Sequence, residues 1–228
     1  MPLKEAKGNM YDWVSHMHTH LGGECPHKCV YCYVGKNRWG RAPRYTGELR
    51  LLEHELKVNY GADKIIFIEH MNDMFSENVK NEWIESILTH CLQHENEYVF
   101  QTKNTPRAYN YKNYFPCKSM IGTTIESNKI HPGVSNAPSP ADRIGGIRNF
   151  KDEGFKTFIT IEPILDFDID VFSKGIIKAA PDFVNIGADS KRCGLPEPSR
   201  EKVMELAEQL QKAGVTIRKK INLERLMA

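Results

Sequence analysis

The sequence predicts an α/β protein built from six strand–helix units that form an open, curved barrel. Short apolar stretches typical of buried strands recur along the 228 residues, and stretches with helical spacing follow most of them. Regular alternation of strand and helix implies parallel strands joined by right-handed crossovers. Six units are fewer than the eight of a closed (β/α)8 barrel. The expected fold is therefore an open (β/α)6 partial TIM barrel.

Six stretches are predicted to be the strands of this barrel: 13–19, 64–69, 97–102, 119–124, 155–161 and 182–186. Leu49, Leu52 and Leu56 have helical spacing and predict a helix that ends near Gly61. Ser76 is predicted to be the N-cap of the next helix. The last long helix is expected at about 199–213.

The length and composition fit one globular domain spanning residues 1–228. The composition is 40% hydrophobic and 26% charged, and the net charge of +2 is too small to imply nucleic acid by itself. Residues 1–10 do not resemble a signal peptide, and no apolar run approaches the roughly 20 residues needed to span a bilayer. A cytoplasmic protein without a membrane partner is therefore expected, with a C-terminal region at 198–228 made of the last helix and a tail.

Three cysteines lie close together in the sequence CPHKCVYC at 25–32, within a segment called here the cysteine loop (residues 22–35). Cys25, Cys29 and Cys32 can bind three irons of a cubane 4Fe–4S cluster, for which a complete set has four thiolates. The fourth iron then stays open, as in catalytic metal sites. The alternative is a structural zinc with His27 or His20 as the fourth ligand.

Spacing favours the cluster over zinc. Zinc sites usually contain two paired half-sites, whereas Cys91, Cys117 and Cys193 each stand alone in the sequence. His16, His18 and His20 alternate and are expected on one face of the first strand. That face could bind metal, but a half-exposed face without metal is the more common outcome.

The pattern Cys-x3-Cys-x-aromatic-Cys, with Tyr31 before Cys32, resembles the signature of the radical S-adenosylmethionine (SAM) superfamily. The segments FQTKNTPR (100–107), GTTIE (122–126) and IEPIL (161–165) resemble blocks of a phage- and prophage-associated radical SAM family of largely unknown function. The spore photoproduct lyases, which act on DNA thymines, are more distant. The resemblance implies a partial barrel, a 4Fe–4S cluster, SAM, and a reductant such as flavodoxin or ferredoxin.

In parallel α/β folds the site forms at the carboxyl ends of the strands. Polar residues expected at this rim are Asn72, Asp73, Gln101, Lys103, Thr124, Glu126, Glu162 and Asp189. Apolar strands that each supply one or two polar residues to one rim are typical of a cofactor pocket.

The resemblance also implies roles for these residues. The SAM amine and carboxylate would bind the open iron. Asn72 and Asp73 would lie near the amine or near the substrate, Lys103 would balance the carboxylate, and Tyr31 would lie beside the adenine. Glu126 or Glu162 would bind ribose hydroxyls or substrate, and Gln101 and Thr124 would complete the cofactor pocket. The chain departs from the usual pattern because its second strand ends in 69–73 without a Gly-Gly-Glu-Pro-like motif.

A basic aromatic loop at 35–46 follows the cysteines. Cations interleaved with aromatic rings are typical of surfaces that contact phosphates and stack on bases. The alternative is a solvated basic loop with a buried tryptophan. The candidate substrate-binding residues are Arg38, Trp39, Arg41, Arg44 and Tyr45, together with Asp189.

The function implied by the resemblance is reductive cleavage of SAM, followed by hydrogen abstraction from a substrate by a 5′-deoxyadenosyl radical. The expected substrate is a nucleobase, for example a hypermodified thymine rearranged in phage DNA, or a nucleotide. Two alternatives remain. One is a radical SAM enzyme that acts on a peptide or small metabolite, and the other is a zinc-stabilised nucleic-acid-binding module.

Overall fold

An eight-stranded sheet is the largest sheet in residues 3–8, 10–36 and 42–228, which the computed structural model describes. The strands are β1 (Lys4–Glu5), β2 (His16–His18), β3 (Leu21–Gly22), β4 (Arg50–Leu51), β5 (Ile65–Ile68), β6 (Glu97–Gln101), β7 (Ser119–Thr124), β8 (Lys156–Ile161), β9 (Phe183–Ile186) and β10 (Thr216–Lys219). Three of the candidate substrate residues, Arg38, Trp39 and Arg41, lie outside the described residues.

The helices are α1 (Tyr33–Lys36), α2 (Asn81–Leu92), α3 (Thr105–Tyr109), α4 (Pro140–Asp152), α5 (Ile169–Ala179), α6 (Arg200–Lys212) and α7 (Glu224–Met227). Short 3-10 helices occupy Pro43–Tyr45, Glu53–Lys57, Lys112–Tyr114 and Ile221–Leu223. No helix in the described part of the chain combines the length and apolar character needed to cross a membrane.

The strand order in the large sheet is β1-β2-β5-β6-β7-β8-β9-β10. Each pair from β2 to β10 is parallel, and β1 pairs antiparallel with β2. The predicted parallel α/β architecture is confirmed. The described residues hold one more parallel strand than predicted, because β10 follows α6. A separate antiparallel pair, β3 and β4, flanks the cysteine loop.

The two faces of the sheet pack differently. The outer face packs against the helices and forms two large clusters of buried apolar residues. Ile68 belongs to the cluster that includes α2, and Val184 belongs to the cluster that includes α6. The inner face, defined here by Phe67, Val99 and Phe158, packs against Tyr11 and Val14 instead. Successive strand side chains point to opposite faces, which explains the separation.

Gly122 leaves the space that Phe158 fills on this inner face. A Cβ atom at Gly122 would lie 2.1 Å from the Phe158 ring. Tyr11 packs edge-on against the same ring, and its hydroxyl lies 2.7 Å from Gln101 Oε1 and 2.6 Å from Thr160 Oγ1. The interior below the rim is therefore filled by aromatic rings, with a hydrogen-bonded layer above them.

Two local predictions are wrong. The stretch with Leu49, Leu52 and Leu56 forms β4 and a 3-10 helix rather than an α-helix, because β4 pairs with β3. Ser76 does not cap α2, which begins at Asn81. Its hydroxyl donates instead to the Asp73 carbonyl oxygen at 2.8 Å. The last helix, in contrast, begins after Ser199 as expected, with the Ser199 hydroxyl accepting from the Lys202 N–H.

His18 and His20 lie on one face as predicted, with ring centroids 4.6 Å apart, but they are buried rather than half exposed. His20 Nδ1 lies 2.8 Å from Glu69 Oε1, and His20 Nε2 lies 3.0 Å from His90 Nδ1. The Tyr60 hydroxyl also contacts His20 Nε2, at 2.9 Å. These histidines form a buried hydrogen-bond network beneath α2.

Candidate functional site

The cysteine loop contacts the carboxyl ends of three neighbouring strands. His27 in this loop pairs with Asp73, which follows β5. Tyr31 contacts Glu126, which follows β7, and its ring lies 5.5 Å from the ammonium nitrogen of Lys103, which follows β6. The three cysteines and these predicted rim residues are thus brought together.

Asp73 binds the cysteine loop to the ends of β5 and β6. Its Oδ2 atom lies 2.8 Å from His27 Nε2 and accepts the Lys103 N–H at 2.8 Å. Its Oδ1 atom accepts the Thr102 hydroxyl at 2.7 Å and the Phe75 N–H at 3.0 Å. Burial raises the pKa of this carboxyl, but the interaction with His27 and the hydrogen bonds from Lys103 and Thr102 together outweigh burial and keep the pKa below its usual value. Asp73 is therefore a buried carboxylate.

Asn72 and Gly23 hold the start of the loop. The Asn72 amide donates to the Gly23 carbonyl oxygen at 3.2 Å, and the Gly23 N–H donates to the Arg44 carbonyl oxygen at 2.8 Å. Gly23 has a φ of +85°, and a Cβ atom there would lie 2.1 Å from the Glu48 carbonyl oxygen. Glycine is required because no side chain fits this close backbone approach.

Arg44 is held by partners within the chain. Its guanidinium lies 2.5 Å from Glu55 Oε1 and donates to the Thr19 carbonyl oxygen at 2.7 Å. Tyr45 lies under the Arg44 guanidinium at 5.6 Å. Arg50, which sequence reasoning missed, donates to carbonyl oxygens of the 43–48 turn. Substrate contacts of Arg44 and Tyr45 stay predictions.

Buried charges surround Tyr31. Its hydroxyl donates to Glu126 Oε1, and Arg143 of α4 donates to Glu126 Oε2 at 2.8 Å and to the Thr124 carbonyl oxygen at 2.6 Å. Burial raises the pKa of Glu126, but Arg143 and Lys103 outweigh it and hold the pKa below the usual range. Burial lowers the pKa of Lys103, yet its anionic neighbours raise it overall. Lys103, Arg143 and the Glu126 carboxylate therefore lie around Tyr31 of the cysteine loop.

The loop between β7 and α4 covers the cysteine loop, a contact that sequence reasoning missed. The Ser135 hydroxyl lies 3.2 Å from Cys29 Sγ, the Val30 N–H donates to the Val134 carbonyl oxygen at 3.0 Å, and the Asn136 N–H donates to the His27 carbonyl oxygen at 2.8 Å. The Pro- and Asn-rich composition predicts a loop but does not indicate its contacts.

A cavity of about 180 Å³ lies under this covering loop. Its lining includes Glu126, Lys129, His131, Ser135 and Arg143. The Arg143 Nε atom is buried and has no hydrogen-bond partner among the described residues. Arg143 and Ser135, which contacts Cys29, thus both line this cavity.

Gln101 and Thr124 lie in the inner polar layer. Gln101 accepts from Tyr11 and donates from Nε2 to Thr124 Oγ1 at 2.9 Å. Thr160 Oγ1 accepts from Asn185 Nδ2 at 3.1 Å in the same layer. This layer forms a polar floor, and the cofactor-binding roles of Gln101 and Thr124 stay predictions.

Glu162 and Asp189 lie at the ends of β8 and β9, and Glu162 has partners from the C-terminal tail. Glu162 pairs with Lys220 at 2.8 Å and accepts from the Asn222 amide. The Asp189 carboxylate accepts the Lys191 N–H at 2.9 Å and the Cys193 N–H. Sequence reasoning assigned no role to Lys220 or Asn222, because long-range pairing leaves no local signal.

The thiols of the cysteine loop fit a three-cysteine 4Fe–4S cluster. Cys25, Cys29 and Cys32 are free and half-buried, and Lys103 is close enough for Cys29 to affect its pKa. Among the described residues no group of three or more His, Cys, Asp or Glu is arranged to hold a single metal ion. In a cubane each thiolate binds a different iron, so one shared ion position is not needed. Burial raises the pKa of Cys25 to about 12, so iron binding would release its proton.

Comparison with solved structures identifies the fold. No protein-family model matches the chain, and no curated protein matches it. A mutant of spore photoproduct lyase superposes with a TM-score of 0.65 at 9% identity, covering 93% of this chain and 79% of the lyase chain. SuiB from Streptococcus suis superposes with a TM-score of 0.60 at 11% identity, covering 90% of this chain and 49% of SuiB. Both are radical SAM enzymes.

The chain has the radical SAM fold. The predicted open partial TIM barrel is thereby confirmed. A second lyase structure, with AdoMet and dinucleoside spore photoproduct bound, superposes with a TM-score of 0.56 at 10% identity. It matches 90% of this chain and 63% of its own chain. At these identities the likeness establishes the fold, and the resemblance to the phage-associated family stays a prediction.

Proposed function

We propose that the chain is a radical SAM enzyme in which Cys25, Cys29 and Cys32 bind a 4Fe–4S cluster and SAM binds at the open iron. The observation that carries this proposal is the three-cysteine loop, which lies at the carboxyl rim of a radical SAM fold and is packed against buried charges. When bound, the cluster and SAM supply a radical that removes a hydrogen atom from the substrate.

Buried cations on one side of the loop suit an anionic cofactor group. Lys103 lies against the Tyr31 ring, and Arg143 lines the cavity with an Nε atom that has no partner among the described residues. A buried donor without a partner is costly, and a carboxylate supplies the strong hydrogen bond that it lacks. We assign Lys103 and Arg143 to the SAM carboxylate. Glu126, which contacts Tyr31 and Arg143, would bind ribose hydroxyls at the same edge.

The chain's own residues also shield the site. Ser135 and Val134 cover Cys29 and Val30, and the polar floor of Gln101 and Thr124 closes the interior beneath the rim. A radical must react with the substrate before other hydrogen donors reach it. The covering loop and the floor limit solvent access from two directions.

For the substrate we propose a nucleobase in DNA or in a nucleotide. The basic aromatic loop at 35–46 directly follows the cysteine loop, and cations with aromatic rings suit phosphates and bases. A lyase neighbour of the same fold binds a dinucleoside spore photoproduct. The electrons would come from a flavodoxin- or ferredoxin-like reductant.

The reaction class is tested on protein purified without oxygen and reconstituted with iron and sulfide. After reduction with dithionite and addition of SAM, we expect 5′-deoxyadenosine by chromatography. Cys29→Ala should abolish the product, whereas Cys117→Ala, at an exposed cysteine outside the loop, should retain it. Wild-type protein that binds zinc instead of iron and forms no product would favour the zinc-stabilised module.

The substrate class is tested by the same product yield with candidate substrates added. Oligonucleotides or nucleotides that carry the correct base should raise the yield, and their binding should weaken as salt increases. The Arg38→Ala/Arg41→Ala double variant should lose this stimulation, while Lys212→Ala on α6 should keep it. Stimulation by peptides and not by nucleotides would reject the nucleobase proposal and leave the reaction class intact.

A further inference from the structure

We propose that Asp73 and His27 are positioning residues that hold the cysteine loop and set the reduction potential of its cluster, and that Asp73 does not bind SAM. The redox part of this inference rests on the proposed function. It replaces the expectation, made from the sequence, that Asp73 lies at the SAM amine.

The hydrogen-bonding capacity of Asp73 is used within the protein. Among the described residues its carboxylate contacts four donors: His27 Nε2, the Lys103 N–H, the Thr102 hydroxyl and the Phe75 N–H. A carboxylate has about four lone-pair sites on its two oxygens. A SAM amine at Asp73 would therefore have to displace one of these partners, and each is itself buried or part-buried.

His27 connects Asp73 to the segment between two of the cysteines. It lies between Cys25 and Cys29 in the sequence, and its Nε2 is 2.8 Å from the Asp73 carboxylate. Its carbonyl oxygen accepts the Asn136 N–H at 2.8 Å and the Ser135 hydroxyl at 3.3 Å. The His27 side chain thus holds the cysteine loop to Asp73, while the His27 backbone holds it to the covering loop between β7 and α4. Loss of the Asp73 contact would release the segment that spaces two ligands.

The charge of Asp73 gives the pair an electronic effect. Asp73 is 6% exposed, and its carboxylate lies 2.8 Å from His27, which is two residues from Cys25 and two residues from Cys29 in the sequence. Reduction potentials of iron–sulfur clusters depend on nearby charge and on hydrogen bonds. A buried anion disfavours the added electron, so Asp73 should lower the potential. Lys103, which interacts electrostatically with Cys29, should act in the opposite direction.

The test compares the full-length wild type with Asp73→Asn, His27→Leu and His27→Gln. Glutamine places an N–H donor near the position of His27 Nε2 and is the conservative rescue. Asp182→Asn is the matched control, because that carboxylate also accepts a backbone N–H, from Thr157. Thr157 lies near the amino end of β8, away from the carboxyl rim where Asp73 lies. Circular dichroism establishes that each variant is folded, and the two His27 variants decide the outcome if Asp73→Asn is not.

Three readouts are measured on these proteins: amide hydrogen exchange of residues 24–32 without metal, the redox midpoint of the reconstituted cluster, and the dissociation constant of SAM for the cluster-loaded protein. We expect faster exchange in Asp73→Asn and His27→Leu, and a higher midpoint in Asp73→Asn. His27→Gln and Asp182→Asn should resemble the wild type. The SAM dissociation constant of Asp73→Asn should stay within threefold of the wild-type value.

Unchanged exchange and midpoint in Asp73→Asn, with SAM binding weakened tenfold or more, would overturn the inference and assign Asp73 to SAM. A wild type that takes up no iron would instead refute the proposed function and the redox half of the inference. In that case hydrogen exchange in the metal-free protein still decides whether Asp73 and His27 hold the loop. The failure of one proposal is thereby distinguished from the failure of the other.

Discussion

The hydroxyl of Tyr31 donates a hydrogen bond to Oε1 of Glu126 and so joins the cysteine loop to the end of β7. The other carboxylate oxygen of Glu126 accepts from Arg143 at 2.8 Å. One buried carboxylate therefore links the residue before the third cysteine to α4.

Glu126→Gln should destabilise the metal-free protein by about 3 kcal/mol, because breaking a buried ion pair leaves an uncompensated charge. The positive charges of Arg143 and the nearby Lys103 would then lose the negative charge of Glu126 that compensates them. Urea denaturation at pH 7.5 measures the change. Glu208→Gln, which removes an exposed partner of Lys212, is the control and should leave the midpoint unchanged. Equal midpoints for the two variants would contradict the prediction.

Gly23→Ala should impair cluster loading more than it impairs folding. Alanine at a positive φ costs roughly 1–2 kcal/mol, and its Cβ would meet the Glu48 carbonyl oxygen at 2.1 Å. The start of the cysteine loop must then shift. Iron per chain after reconstitution is the measurement. Gly35→Ala, which has no described residue within 4 Å of its Cβ position, should load normally. Normal loading of Gly23→Ala would show that the loop tolerates the shift.

Gly122→Ala should destabilise the barrel interior by about 1–3 kcal/mol, the usual cost of overpacking a core. The new methyl group would lie 2.1 Å from the Phe158 ring, which is itself stacked on Phe183. Thermal unfolding measures this loss. Gly145→Ala in α4, where none of the residues that the structure describes lies within 4 Å of the Cβ position, should be neutral or slightly stabilising. An unchanged melting temperature for Gly122→Ala would mean that Phe158 can move aside.

The free energy of unfolding should fall as the pH is lowered from 6.5 towards 4. Burial lowers the pKa of His20 to about 3 and the pKa values of His18, His70 and His90 to about 4, from 6.5. Between the folded and unfolded values the unfolded state binds more protons, so stability rises with pH across this window and falls on acidification.

Glu69 acts in the opposite sense. Burial raises its pKa from 4.5 to about 7, so its contribution is present below pH 4.5 and is lost as the pH rises through 7. Four histidines outweigh one carboxyl, so the net effect of acid is destabilising. Urea titrations at pH 7.5, 6.0 and 5.0 measure it, and Glu69→Gln, which removes the opposing group, should steepen the loss. A flat profile from pH 7.5 to 5.0 would contradict the prediction.

The positions of the strands along the chain and of the polar residues at their carboxyl ends could be predicted from the sequence because both follow from local patterns. Apolar runs such as 64–69 and 97–102 are strands within a residue or two of the expected bounds. The three closely spaced cysteines lie next to the rim, as expected. β10 was missed because it lies at the sheet edge and has no apolar run, since its last two residues, Arg218 and Lys219, are charged. Arg218 is stacked 3.8 Å from the centroid of the Phe183 ring.

Contacts between distant segments could not be predicted. Ser135 follows Cys29 by 106 residues, and nothing in the segment around Ser135 indicates that it covers a thiol. Asp73 was recognised as a rim residue, but its partners come from β6 and from the cysteine loop. The leucines at 49, 52 and 56 have helical spacing, but no α-helix forms there because β4 pairs with β3.

The contact between Tyr11 and Thr160 spans 149 positions of the chain. A ribosome that adds 5–20 residues per second needs roughly 7–30 s to cover that distance. Cys25, Cys29 and Cys32 are synthesised early in this interval, before β8, the floor of the barrel and the covering loop exist in folded form. Iron and sulfide delivered then would meet unprotected thiols. The order of synthesis therefore favours insertion of the proposed cluster after the barrel has closed around Tyr11.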